Sequence, residues 1–474
     1  MKRCLTSLDL LWLGPVLLTI LAIAFLLPVT PQDYWWYLRL GQETLAAGAP
    51  PTTDTWTWSR AGAPVVYHSW GAAVLFWLTY RAGGLTLTVL LRGLVLALTY
   101  ALTFAAARRL GGAPRSAALV TLLAVLTTSN NWSLRPQLLA YPLFALALYL
   151  LLRWQTGDRR AVWGLPPIAL LWVNLHGSFV MLFLLGGAAL LFGRGERRPL
   201  AFALAVSLLA TLLNPRGLGA WTYVYASLTS PSSQQFSAEW HPPLNRGWQM
   251  NLFFAWLLLF APLAALSPRK LERLEWLWCL GFGWLALSGL RYIIWFVLLL
   301  TVLTAAALGE WERRRMAASP PGRPAWSTGL MLVCLLLPLA LLPGVRQRWW
   351  PDSPPVTEDT PLAAADWLRA HPDLPGPLWS EIGFSSYLEF ALPERPVWMD
   401  TRFEVFPPEQ WEDYRAVTQA AWDWQARLDA AGANLLMVST ASQPDLLAAL
   451  EASSAWCERY RDPLAAIYQR GACP

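Results

Sequence analysis

The sequence predicts a polytopic α-helical membrane protein of about eleven transmembrane helices, followed by a soluble α/β domain at its carboxy-terminal end. Three observations predict it. Of 474 residues, 55% are hydrophobic and 14% charged, too little polar side chain to cover soluble domains of that size. The charge divides at Pro343: residues 1–343 carry 26 Lys+Arg against 11 Asp+Glu, and residues 344–474 carry 10 against 19. Apolar runs of bilayer length, roughly 17–25 residues with their flanks, recur from Leu10 to Leu342 and then stop. Because the excess of basic residues belongs to one part of the chain only, it is not the evenly basic surface of a nucleic-acid-binding protein.

The apolar cores lie near 10–28, 85–107, 117–129, 138–152, 162–173, 179–192, 200–213, 252–266, 274–287, 293–308 and 326–342. Lys and Arg in short loops orient such spans, with the basic loops facing the cytoplasm. With the amino terminus inside, the inner loops hold 18 of the 26 basic residues, from Lys2 and Arg3 to Arg323. The outer segments keep isolated arginines, and Arg92 lies within the second span, where a charge is costly and faces a polar interior or a neighbouring helix. This orientation requires the apolar stretch 70–80 to lie along or dip into the outer surface without crossing. The first span has no small-x-small cleavage site before Asp33, so it reads as a retained helix. Residues 344–474 are then extracytoplasmic, on the outer face of an inner or plasma membrane.

The polar residues that call for explanation gather on the outer face, in long loops at 30–84 and 214–250. In the first, residues 33–47 read as an amphipathic helix lying in the interface, stopped by Gly48 and Pro50-Pro51. Asp33 stands at its start, Asp54 and His68 further on. Arg135, His176 and Arg291 sit at shorter outer turns, and Arg216, Glu239 and His241 in the second long loop. Each has a plain reading too. Asp33 suits a helix cap, Asp54 a turn, His176 a turn hydrogen bond, and the arginines lipid headgroups. Glu239 and His241, two apart, are a weak metal pair, which leaves a divalent metal open.

Residues 344–474 read as α/β. Helical patterns at 362–371, 385–392, 408–417, 420–431 and 443–453 alternate with strands at 377–380, 396–400 and 434–438, and a hairpin, 456–460 with 465–469, follows. Asp400 and Arg402 end the second of these strands, where ligands gather in open α/β sheets; an internal ion pair is the plain alternative. Cys457 and Cys473 lie where a disulfide can persist.

Carboxylates can serve as bases, arginines can grip a phosphate, and tryptophans can stack on sugar or lipid. Such a face suits transfer from a lipid-linked phosphate to a hydroxyl, and no nucleotide-binding loop is present. The layout resembles the GT-C superfamily of integral-membrane glycosyltransferases. The segments that carry the resemblance are Asp33-Tyr-Trp35-Trp36-x-x-Arg39-x-Gly41, Pro51-x-x-Asp54, His68-Ser-Trp70, Arg135-Pro136, Asn174-x-His176-Gly177, Asn214-Pro215-x-Gly217 and Glu239-Trp240. They are similar to a group of largely uncharacterised bacterial membrane proteins placed near that superfamily. The resemblance implies a polyprenyl-phosphate sugar donor, a glycan, lipid or protein acceptor, and an inverting hexosyl- or pentosyltransferase with Asp33 as the first-loop acid. Tyr34 follows Asp33 where other members have a second acid, which leaves metal dependence and the base open. On this reading Asp33, Asp54 and His68 are catalytic candidates, and Arg135, His176, Arg216, Glu239, His241, Arg291, Asp400 and Arg402 bind donor phosphate or substrate. The alternatives are a transporter or lipid-binding scaffold without chemistry, and a transferase of a whole lipid-linked glycan. Few charges lie within the spans, and no repeated pair of broken helices favours a transporter.

Overall fold

A computed structural model describes residues 6–315, 324–471 and 473; Lys2, Arg3, Cys4 and Arg323 lie outside the described residues. Each expected apolar core falls on a helix. Among the described residues, five helices are long and apolar enough to cross a membrane: Ser7–Leu26, Trp70–Leu110, Pro136–Gln155, Trp248–Leu266 and Leu290–Arg314. The other expected spans fall on helices of 11 to 16 residues, several lengthened by a 3₁₀ turn. At 1.5 Å per residue these are shorter than a hydrocarbon core of about 30 Å, so eleven crossings stay an expectation from sequence.

The chain folds as two compact units. The first, helical, comprises the described residues up to Leu27, Ala82–Val224 and Ala238–Ser353. Its helix Ser7–Leu26 starts at a capping box, in which Thr6 and Asp9 satisfy each other's backbone donors. Buried Asp9 also pairs with Arg108. Arg92, within the second expected span, is 1% exposed. Its Nε and Nη2 donate to the Ala24 carbonyl at 3.0 and 2.6 Å, and Nη2 also donates to that of Leu27. The charge is therefore spent on carbonyls at the end of the first helix that have no helical partner of their own.

The second unit comprises Pro28–Arg81, Tyr225–Ser237 and the chain from Pro354 on, so parts of both long loops fold with the carboxy-terminal domain. The division falls where the helix Trp70–Leu110 breaks. Gly83 and Gly84 leave helical geometry, and Gly84, at φ 58° and ψ −150°, holds a conformation open to glycine alone. The stretch before the break packs within this unit: Phe76 meets Tyr34 edge-on at 5.8 Å, and Tyr80 meets Phe390 likewise at 5.6 Å.

The first-loop helix Tyr34–Ala47 ends at left-handed Gly48 as expected. The expectation that it lies amphipathic in the interface is corrected, because Tyr34 to Gly41 are all buried within the protein. Trp35 packs on Tyr387 and Phe390, and Trp36 near Trp56 and Tyr67. A Cβ at Gly41 would stand 2.2 Å from the Ala73 carbonyl oxygen, so this close crossing requires glycine.

A four-stranded sheet forms the centre, with β1 (Leu378–Ser380), β2 (Leu435–Ser439), β3 (Trp456–Arg461) and β4 (Ala465–Arg470) in the order β1-β2-β4-β3. β1 and β2 run parallel and the other pairs antiparallel. β1 and β2 are buried throughout, so both faces of the sheet are covered. Trp379, Leu436, Val438 and Tyr468 enter one core cluster, and Leu378, Leu435, Met437 and Ile467 the other, as the period-2 alternation of strands requires. The expected helices appear within a few residues of their predicted limits. The expected strand 396–400 does not form. Only Val397 bridges, to Leu378 and to Thr57 of the first loop, because Pro396 brings no N–H to a ladder. Cys457 and Cys473 form a disulfide.

Candidate functional site

In the second unit the first-loop acid meets the Asp400–Arg402 turn. Asp33 precedes the Tyr34–Ala47 helix, but its backbone is helical and its side chain makes no capping bond, so the plain reading of Asp33 as a helix cap is set aside. Its Oδ1 instead accepts a hydrogen bond from the Thr401 hydroxyl at 2.8 Å. Thr401 also lies 3.0 Å from the Ser386 hydroxyl.

On either side of Thr401, Asp400 and Arg402 are buried, at 0% and 3% exposure. Arg402 donates through Nε to both Asp400 oxygens, at 3.0 and 2.9 Å, and through Nη2 to Asp54 at 3.2 Å. It also donates to the Tyr67 hydroxyl and stands 3.8 Å from Glu389. Its guanidinium lies 4.6 Å from the centre of the Trp56 ring, and Arg39 lies 5.2 Å from the same ring. The Trp56 indole N–H donates to Glu43, which Arg39 also binds. Burial disfavours the charge on Arg402, but Asp400, Tyr67 and Glu389 outweigh it and raise its pKa well above the ordinary value. Burial, and then the Asp400 charge, push the Glu389 carboxyl well above the usual carboxylate range.

Asp54 is equally enclosed. It is 1% exposed and accepts from the Trp56 backbone at 3.1 Å and from the Thr57 hydroxyl. Asp54, Asp400 and Arg402 thus form one buried ionic cluster, the plain alternative to a ligand site at a strand end. His68 Nε2 is 2.7 Å from the Ser69 hydroxyl. A cavity of about 310 Å³ in this unit, between Trp58, Arg369 and Arg395, includes none of the predicted site residues.

In the helical unit the structure gathers Arg135, Glu239, His241 and Arg291. Arg135 precedes the Pro136–Gln155 helix and pairs with Glu239, their side chains 26% and 42% exposed. Arg291 stacks over Trp240 at 4.3 Å, its carbonyl accepts from Gln137, and the His241 carbonyl accepts from Leu290 at 3.0 Å. His176 and Arg216 belong to two joined turns. Asn214 donates to Asn174 and to the Val173 carbonyl, and its Oδ1 accepts the Arg216 backbone N–H at 2.9 Å. The His176 Nδ1 accepts the Ser178 backbone N–H at 3.0 Å, which puts the proton of the neutral ring on Nε2. His176 therefore braces its turn, as its plain reading has it, with a backbone N–H as partner. Among the described residues no three His, Cys, Asp or Glu side chains are placed to hold a metal ion, and Glu239 of the expected metal pair faces Arg135.

The sequence reading missed Thr401, Ser386 and Glu389. Thr401 lies between two residues that had been singled out, and Glu389 is the lone acid in an apolar helical run; Ser386 had no signal.

No protein-family model matches the sequence, and no curated protein matches it. Solved structures do. The archaeal oligosaccharyltransferase AglB from Archaeoglobus fulgidus, in complex with an inhibitory peptide and a dolichol-phosphate, aligns with a TM-score of 0.58 at 12% identity, over 97% of this chain and 74% of its own. ArnT from Cupriavidus metallidurans, bound to undecaprenyl phosphate, aligns at 0.53 and 15% identity over 98% of both chains. The arabinofuranosyltransferase AftD from mycobacteria aligns at 0.59 and 17% identity, over 98% of this chain and 42% of AftD. All three are GT-C membrane glycosyltransferases, and this chain has their fold.

Proposed function

We propose that this chain, having the fold of the GT-C membrane glycosyltransferases, moves a sugar from a polyprenyl-phosphate donor to an acceptor hydroxyl of a glycan, lipid or protein at the extracytoplasmic face, with inversion. The observation that carries this is the Asp33 carboxylate, partly exposed and held by Thr401 at the start of the first-loop helix. Asp33 takes the proton of the acceptor hydroxyl as that oxygen bonds to the anomeric carbon. The bond from that carbon to the donor oxygen breaks, and the phosphate departs with the bonding pair.

Arg135 and Arg291 are the donors best suited to neutralise the leaving phosphate, because paired guanidinium hydrogen bonds match its oxygens. Arg135 trades Glu239 for the phosphate when donor binds. Arg216 and His176 shape their two joined turns. Asp54, Asp400 and Arg402 take a structural role around Asp33 in place of the catalytic and substrate-binding roles expected for them. The Cys457–Cys473 disulfide supports an oxidising compartment for this unit.

The test is transfer in membranes carrying Asp33→Asn, assayed with radiolabelled undecaprenyl-phosphate hexoses and pentoses. Loss of a general base lowers turnover by roughly 10²- to 10⁴-fold; wild-type turnover in the variant sinks the assignment.

A further inference from the structure

We propose that Thr401 is a positioning residue that holds Asp33 through a directed chain of hydroxyls, from Ser386 to Thr401 to the Asp33 carboxylate. The inference rests on the reading of Asp33 as the base. An ionised carboxylate only accepts hydrogen bonds, so the single Thr401 hydroxyl proton goes to Asp33 Oδ1, 2.8 Å away. Ser386, 3.0 Å from Thr401, must then donate to Thr401. The direction of the chain is thereby set.

Both ends of the chain are clamped by one buried cluster. On the Thr401 side, the Arg402 backbone N–H donates to Asp400 Oδ1 at 2.7 Å and its guanidinium grips Asp400 and Asp54, so the turn is tied at both flanking residues. Ser386 lies on the helix Ile382–Ala391, which also brings Glu389 to Arg402. On the Asp33 side, Arg39 of the Tyr34–Ala47 helix donates to the Glu389 carbonyl at 3.1 Å. A reacting carboxylate needs its orientation set within a fraction of an ångström. A threonine fixed between a buried aspartate and a buried arginine provides that where a solvated loop would not.

The experiment compares full-length wild type, Thr401→Val, Thr401→Ser and Ser386→Ala. Transfer is measured with the undecaprenyl-phosphate sugars above, kcat and KM are determined separately, and thermal unfolding is followed on the same samples. In Thr401→Val kcat falls roughly tenfold or more at unchanged KM and unchanged unfolding temperature. Thr401→Ser restores kcat, and Ser386→Ala gives a smaller loss of the same sign. Wild-type kcat in Thr401→Val beside an inactive Asp33→Asn overturns the inference and leaves the base reading intact. Wild-type turnover in Asp33→Asn overturns the base reading.

Discussion

Arg402 and Arg135 each face a carboxylate, and the difference between their surroundings separates a structural charge from one that can bind a ligand. Arg402 has a side chain 2% exposed, donates to two aspartates and a tyrosine, and lies against an indole ring. Any partner exchange there would leave several charges unpaired in a low-dielectric interior, which is costly. The side chains of Arg135 and Glu239 are 26% and 42% exposed. A pair that exposed contributes about 0–1 kcal/mol, so an incoming phosphate can displace the glutamate at little cost. Burial, and not the identity of the partner, decides which arginine is available to a substrate.

The largest test of this contrast is Arg402→Met. It leaves Asp54 and Asp400 buried without their counter-charge, and we expect a loss of about 3–5 kcal/mol in stability. Thermal unfolding of the solubilised protein, followed by tryptophan fluorescence, measures it. Arg402→Lys does not restore the loss, since an ammonium lacks the planar fork that meets Asp400 and Asp54 together. Next comes Arg135→Gln. Charge-assisted bonds of about 1.5–3 kcal/mol correspond to roughly 10- to 100-fold weaker binding of undecaprenyl phosphate, readable by native mass spectrometry, with unfolding unchanged. If Arg135→Gln destabilises as strongly as Arg402→Met, the distinction is lost.

The smallest effect is pH-linked. Glu389 has a raised pKa in the fold, so the folded protein keeps a proton that the unfolded chain gives up above about pH 4.3. Stability therefore falls as pH rises from there toward the folded pKa. Glu389→Gln removes that slope, so its stability relative to wild type increases as pH rises above about 4.3; a constant difference would show that the Glu389 pKa is not raised in the fold.

Much of the architecture was legible because it rests on local signals. Apolar runs marked the helices of the membrane body, and alternating short runs marked β2 and the β3–β4 hairpin. Gly48 marked the end of the first-loop helix. What escaped had non-local causes. The first-loop helix looked amphipathic, yet Trp35 and Trp36 face partners from residues 387–390 and from Trp56 and Tyr67. Residues 396–400 looked like a strand, but a strand needs a ladder, and only Val397 finds one. Asp54, Asp400 and Arg402 stand out along the chain as charges near turns, while their enclosure by one another cannot be seen there.

By itself the sequence determined the two-part composition, the helical body, the α/β end and the resemblance that made Asp33 a candidate base. Those follow from hydrophobic periodicity, charge distribution and short motifs, all of which act over a few residues. The tertiary structure alone decided that both long loops fold partly with the carboxy-terminal domain, that Thr401 reaches Asp33 across 368 positions, and that Arg402 is sealed while Arg135 is not. Those outcomes depend on which distant side chains exclude water from a charge, and exclusion of water is a property of the packed fold.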